Sequence, residues 1–306
     1  MTPAATRHSV SRSGIRHFAL AIGASNPIHH SVDYARAHGY RDVVAPSNFY
    51  SAIVLSLGRE LPASQLRADG LAQSDELVGR VVAGGCALRW QGAICAGDEI
   101  SVVEEHLPPR TRQGRHGPLV IHSVKRRYYA DDLLVLEEQA DRIGIPVGRT
   151  EIQAPPVSAT AGKEVAAAEL RVNELDLFMF CAATWLTHRI HFDRDYARSE
   201  GYSDLVVPGP LQCARLGQLV ADFAAAHGGQ LDYLEVRHRS PAICGTPIRM
   251  AASIAEAEIG PDSVSAKLNV SVTGPGGLVY TSGRSEVTLA RSPSVLALVR
   301  EHCVAS

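Results

Sequence analysis

No run of this sequence approaches the roughly 18 consecutive apolar residues that a membrane-spanning helix needs. The first fourteen residues, MTPAATRHSVSRSG, lack the apolar core of a signal peptide and read as a short disordered arm. Charge of one sign is also lacking. Thirty Lys and Arg stand against 32 Asp and Glu, a net of -2, which argues against a nucleic-acid partner with its basic face. There are six cysteines: Cys86, Cys95, Cys181, Cys213, Cys244 and Cys303. None forms a C-x-x-C pair, which excludes a zinc ribbon and a thioredoxin motif. Most have apolar neighbours, so they read as reduced thiols of a cytoplasmic protein. No phosphate-binding loop, no G-x-G-x-x-G and no metal-ligand cluster is present. No metal, no redox cofactor and no membrane association is expected.

What is present is a repeat. Residues 28–46 read IHHSVDYARAHGYRDVVAP and residues 190–208 read IHFDRDYARSEGYSDLVVP. Eleven of these nineteen positions are identical at a constant offset of 162, beyond any plausible coincidence. A second echo pairs AICAGD at 93–98 with AICGT at 242–246. The chain of 306 residues thus divides into two copies of one unit of ordinary domain size. Copy one is placed at 1–148, a linker at 149–168 and copy two at 169–306. Pro, small residues and few large apolar groups mark the linker.

Each copy repeats one order of elements. An apolar helical stretch comes first, at 15–23 and 175–186. A His loop follows, then a short Asp-Tyr-Ala-Arg helix ended by Gly39 or Gly201. Asp193 and Asp195 suit the capping of that helix or a solvated surface. A Pro-containing turn then opens a longer helix, at 47–61 and 209–227. Alternating strand-like runs complete each copy: 85–94, 98–107, 118–130 and 133–144, then 231–243, 247–258, 263–275 and 277–290. A long helix followed by antiparallel strands is an α+β pattern. Lys125-Arg126-Arg127 reads as an exposed strand end.

The loop motif G-A-S-N-P-I-H at 23–29, followed by Tyr34-Ala35, resembles the G-D-x-N-P-I-H loop of the MaoC-like acyl-thioester hydratases and dehydratases. Copy two has W-L-T-H-R-I-H at 185–191, then Tyr196-Ala197. Its run through E-G-Y-S-D-L-V-V-P-G-P-L is similar to the mesaconyl-coenzyme A hydratase and hydroxyacyl-thioester dehydratase branch. Copy one resembles the N-terminal domain paired with it. The resemblance covers nearly the whole chain and implies a double hotdog, each copy wrapping an antiparallel sheet round its long helix.

The same resemblance implies an acyl-coenzyme A or acyl-carrier-protein substrate, and allows a homodimer. His191 is implied as general acid/base, because a neutral imidazole suits transfer of an α-proton. Gly209, opening the long helix, is implied as the N–H donor to the thioester oxygen. His188 is a second candidate beside His191. His29 and Asn26 are reserve candidates in copy one, which is read as degenerate and supporting, with Ser47 where copy two has Gly209. Two substrate-binding positions complete the set. Arg237 matches the Arg of the family's F-R-x-x-x-P pattern and suits a phosphate. Leu186, like Ala24 in copy one, stands where the hydratases carry Asp or Asn. Pro208 replaces the His of a V-H-G element. These departures leave three readings: a hydro-lyase, a cyclase or isomerase working through the same enolate, and a thioester-binding protein without turnover.

Overall fold

The computed structural model describes residues 6–57, 79–114, 117–146 and 163–303. Copy one contains β1 (Thr6–Ser9), α1 (Arg12–Ile22), α2 (Val32–Ala37), α3 (Tyr50–Leu57), β2 (Gly79–Trp90), β3 (Glu99–His106), β4 (Arg110–Gly114), β5 (Gly117–Ala130) and β6 (Leu133–Pro146). Copy two contains β7 (Glu164–Arg171), α4 (Glu174–Thr184), α5 (Arg194–Ser199), α6 (Gly209–Ala226), β8 (Gln230–His238), β9 (Pro247–Ile259), β10 (Ser263–Thr273), β11 (Val279–Ala290) and α7 (Pro293–Cys303).

The expected α+β order is present, and every strand run predicted from alternation holds a strand. The strands form one sheet in the order β1-β3-β5-β6-β2-β8-β11-β10-β9-β7, with β4 paired to β5. The order reads the same from both ends once copy-one strands are exchanged for their copy-two counterparts. The copies join where β2 pairs antiparallel with β8, Cys86 opposite Val236 and Leu88 opposite Leu234. Gly85 marks that seam: its φ is 145°, and a Cβ there would lie 2.1 Å from the Val236 carbonyl oxygen.

Local chemistry accounts for the helix ends. The Ser11 hydroxyl accepts from the Gly14 N–H and caps α1, whose far end is closed by left-handed Gly23. α4 starts with a capping box, Asn173 and Asp176 bonding each other's backbone N–H. α1 and α4 pack against each other, with the Phe18 and Phe180 ring centroids 6.1 Å apart. α6 lies across the copy-two sheet and buries Leu211, Leu216, Val220 and Phe223. No helix among the described residues is long and apolar enough to cross a membrane.

Three expectations need correction. Residues 6–9 of the supposed disordered arm form β1, an edge strand paired with β3. The stretch read as linker contains the start of β7, which pairs with β9 as β1 pairs with β3. Both edge strands are short or rich in Ala, so alternation gave them little signal. The third concerns Lys125-Arg126-Arg127. Lys125 and Arg127 are exposed, but Arg126 is 5% exposed. Strand alternation turns it inward, where it reaches Glu104 and lies 3.3 Å from Glu138. The long copy-one helix is described only as far as Leu57, and the remainder of 47–61 lies outside the described residues.

Candidate active site

The two His loops are built alike. Each is a single 3₁₀ turn, Pro27–His29 or Arg189–His191. The capping side chain differs: Asn26 Oδ1 accepts from Ile28 N–H at 3.1 Å, and His188 Nδ1 accepts from Ile190 N–H at 3.4 Å. A returning segment pins each turn. Val44 N–H bonds Ile28 O, and Val206 N–H bonds Ile190 O, both at 3.0 Å. His29 Nδ1 lies 2.7 Å from Val44 O, and His191 Nδ1 lies 2.7 Å from Val206 O.

That last contact fixes the chemistry of the ring. A carbonyl only accepts, so Nδ1 must carry the proton. The neutral imidazole therefore presents its lone pair at Nε2. His191 is 8% exposed. Burial lowers its pKa to about 4, opposed by the bond to Val206 and helped by neighbouring His188. At neutral pH His191 is a neutral base with a fixed tautomer. Burial also lowers His29, with Val44 and Asp222 opposing. His188 lies beside His191, ring centroids 5.8 Å apart. Because its Nδ1 accepts from a backbone N–H, its neutral form carries the proton on Nε2. The capping expected of Asp193 is present: its carboxylate accepts from Tyr196 N–H at 3.0 Å and opens α5.

Fifteen residues beyond His191, the segment Val206–Val207–Pro208 leads into α6. Gly209 is its first residue, and no side chain caps this end. The reason for glycine is space. A Cβ there would lie 2.6 Å from His238 Nε2 and 2.8 Å from its Cδ2. His238 is set in turn by a polar chain: its Nδ1 lies 3.0 Å from Thr281 Oγ1, which donates to Gln212 Oε1 at 2.9 Å. Gln212 Nε2 reaches back to Val207 O at 3.4 Å. Thr281 and Gln212 are fully buried, so this chain orients one ring against one helix terminus. Burial lowers the His238 pKa to about 4, which keeps that ring neutral too.

His238, Thr281 and Gln212 were not found by sequence reasoning. The signal available was that His238 follows Arg237 on β8, so alternation sends the two to opposite faces. The same alternation separates Arg237 from the His loop. It lies half-exposed on the outer face of the sheet, 3.2 Å from Glu235 and 3.6 Å from Asp141, in a cleft of about 210 Å³. Leu186 follows left-handed Trp185 and packs, half-buried, against the core. Ala24 is buried at the matching point of copy one. Neither position supplies a carboxylate. Ser47 donates to Asn48 Oδ1 at 3.3 Å where copy two has Gly209 and Pro210. Among the described residues no group of three or more His, Cys, Asp or Glu could hold a metal ion.

A family model described as hydroxyacyl-thioester dehydratase type 2 matches residues 55–244. Mesaconyl-C(4)-CoA hydratase of Chloroflexus aurantiacus is 38% identical over 114 residues, covering 35% of this chain and 39% of that relative. The chain thus spans well under half of that relative's length. A solved MaoC-like dehydratase superposes with a TM-score of 0.73 at 17% identity, over 94% of this chain and 96% of that one. A conserved hypothetical protein of Mycobacterium tuberculosis, described as a double hotdog, gives a TM-score of 0.65 at 13% identity, over 94% of each chain. The fold is therefore a double hotdog.

Proposed function

The chain belongs to the hydroxyacyl-thioester dehydratase type 2 family, and on that premise we propose that it dehydrates a β-hydroxyacyl thioester, or hydrates the enoyl product, with His191 as the single acid/base. The observation that carries this is the locked ring of His191, with Nδ1 held at 2.7 Å by Val206 O and Nε2 left as the lone pair. In the dehydration direction Nε2 takes the α-proton of the thioester. Gly209 N–H, at the start of α6, donates to the thioester oxygen as enolate charge develops, assisted by the helix dipole. A base with a pKa of about 4 is weak alone; the enolate forming beside it stabilises the imidazolium. The imidazolium then returns its proton to the departing β-hydroxyl, which leaves as water. His188, with its proton on Nε2, is suited to hold that hydroxyl by a hydrogen bond while His191 transfers the proton.

Site and substrate are assigned to residues 169–306, with residues 1–148 as support. The acyl group is carried on coenzyme A or a carrier protein. Leu186 favours a second reading: with no carboxylate to hold a water, the enolate could be captured within the substrate in a cyclisation or isomerisation.

Turnover of crotonyl-coenzyme A and 3-hydroxybutyryl-coenzyme A separates the readings. The expected result is interconversion with gain or loss of one water by product mass, lowered about 10²–10⁴-fold in His191→Gln. A product of unchanged mass would select the isomerase. Tight binding with no turnover, or turnover indifferent to His191→Gln, would sink the assignment.

A further inference from the structure

The imidazole of His238 takes no part in the chemistry above, yet its tautomer is as fixed as that of His191. Gln212 Nε2 donates to Val207 O at 3.4 Å, so the amide turns Oε1 towards Thr281. The Thr281 hydroxyl has one proton and gives it to that oxygen at 2.9 Å. Towards His238, at 3.0 Å, Thr281 can then only accept. Nδ1 of His238 therefore carries the ring proton, and Nε2 is a bare lone pair. Burial keeps this ring neutral.

That lone pair is unused and open. Among the described residues Nε2 has no hydrogen-bond partner, and it is not one of the polar atoms closed off from solvent. It points at the head of α6: a Cβ on Gly209 would lie nearer to Nε2, at 2.6 Å, than to any other ring atom. Gly209 N–H also has no partner among the described residues, and no side chain caps it. An unpaired donor and an unpaired acceptor thus stand side by side. His191 is anchored on Val206 and His238 abuts Gly209, so both imidazole lone pairs border the one short segment 206–209.

The repeat supplies an internal control. Trp90 and His238 are each the last residue of their strands, β2 and β8. Trp90 Nε1–H donates to the carbonyl of Ser47, the residue that stands where copy two has Gly209. An indole offers no lone pair, so copy one closes this spot and copy two leaves an acceptor there. The chemistry gives that acceptor a use. A bare lone pair beside a developing oxyanion opposes it unless a proton lies between them. On a β-hydroxyacyl thioester, the donor closest to the carbonyl is the β-hydroxyl. The His loop of copy two, residues 185–191, contains no carboxylate to receive that hydrogen.

We propose that His238 is a further catalytic residue, whose Nε2 accepts a hydrogen bond from the reacting oxygen: the water added in hydration, or the β-hydroxyl lost in dehydration. The assignment rests on the hydro-lyase reading above. In hydration the water keeps the hydrogen that His238 holds and gives its other proton to His191 Nε2 as its oxygen bonds Cβ. The π pair moves to the thioester oxygen at Gly209 N–H. It then returns to Cα, which takes the proton from His191. Dehydration runs the same steps in reverse.

Two reactions of the full chain test this: hydration of crotonyl-coenzyme A, and α-proton exchange of butyryl-coenzyme A in D₂O. The second uses the same base and the same oxyanion donor but has no reacting oxygen. His238→Phe should lower kcat for hydration about a hundredfold with KM little changed, and that loss should exceed the loss in exchange by roughly tenfold or more. His238→Gln restores an acceptor oxygen and should recover roughly a tenth of the parent rate or better. Should His238→Phe not fold, Thr281→Val decides the matter: it keeps the ring but frees the tautomer, and the same selective loss is expected. Equal losses in hydration and exchange, which a merely structural role produces, overturn the proposal. Hydration abolished by His191→Gln but untouched by His238→Phe defeats this inference alone. A parent chain that hydrates no enoyl thioester defeats the hydro-lyase reading, and this inference with it.

Discussion

Replacing Gly209 by Ala tests the packing at the head of α6. The added Cβ would lie 2.6 Å from His238 Nε2, 2.8 Å from Cδ2 and 3.0 Å from Cε1. Ordinary contact begins near ~3.5 Å, so the ring must retreat by roughly an ångström. His238 is not free to do so, because its Nδ1 is held at 3.0 Å by Thr281 and Thr281 at 2.9 Å by Gln212. A retreat of that size breaks the first bond of a buried chain. Overpacking costs about 1–3 kcal/mol, and an unmet buried hydrogen bond about 1–3 kcal/mol more. Gly209→Ala should therefore lower unfolding stability by about 2–6 kcal/mol, even though Ala is the better helix former. In a His238→Ala background the obstacle is gone, and the same substitution should be neutral or mildly stabilising. Urea unfolding of the four proteins of this double-mutant cycle reads the coupling directly. Equal destabilisation in both backgrounds would show that His238 is not what reserves the position for glycine.

Other perturbations follow from the same contacts. Arg126→Met strands Glu138, which is 5% exposed, and should cost about 3–5 kcal/mol in unfolding stability, whereas exposed Lys125→Met should change little. His191 has a pKa of about 4 when folded, against an ordinary value of 6.5. The unfolded chain therefore binds more protons between these values. Stability should be full above about pH 6.5 and fall as pH drops towards 4, by up to about 3 kcal/mol from this group. In His191→Gln that part of the slope should vanish in unfolding curves taken across pH 4–7. Asn173→Ala removes half of the capping box on α4 and should lower stability by about 1 kcal/mol, measured by thermal unfolding.

Much of the fold was legible because the chain states it twice. The 162-residue repeat set the two-copy plan, and period-two alternation found the long strands. β1, β4 and β7 escaped because each is short or weakly alternating, and edge strands are held by neighbours rather than by their own pattern. His191, His188 and Gly209 were marked from the loop motif; the structure sets His188 beside His191 and Gly209 at the first residue of α6. Arg237 was marked by its motif; the sheet sets it half-exposed beside Glu235 and Asp141, with His238 on the opposite face.

The sequence by itself determined the double copy, the α+β order, the His loops and the glycine at the head of α6. Tertiary structure alone decided which imidazole nitrogen is free, that Arg126 faces inward, and that Gln218 of one copy meets His29 of the other. The reason is range. Periodicity and capping are local and leave a trace within one element. The His238–Thr281 bond joins residues 43 apart, and the Gln218–His29 contact joins residues 189 apart. Such contacts exist only once the sheet has closed on its helices.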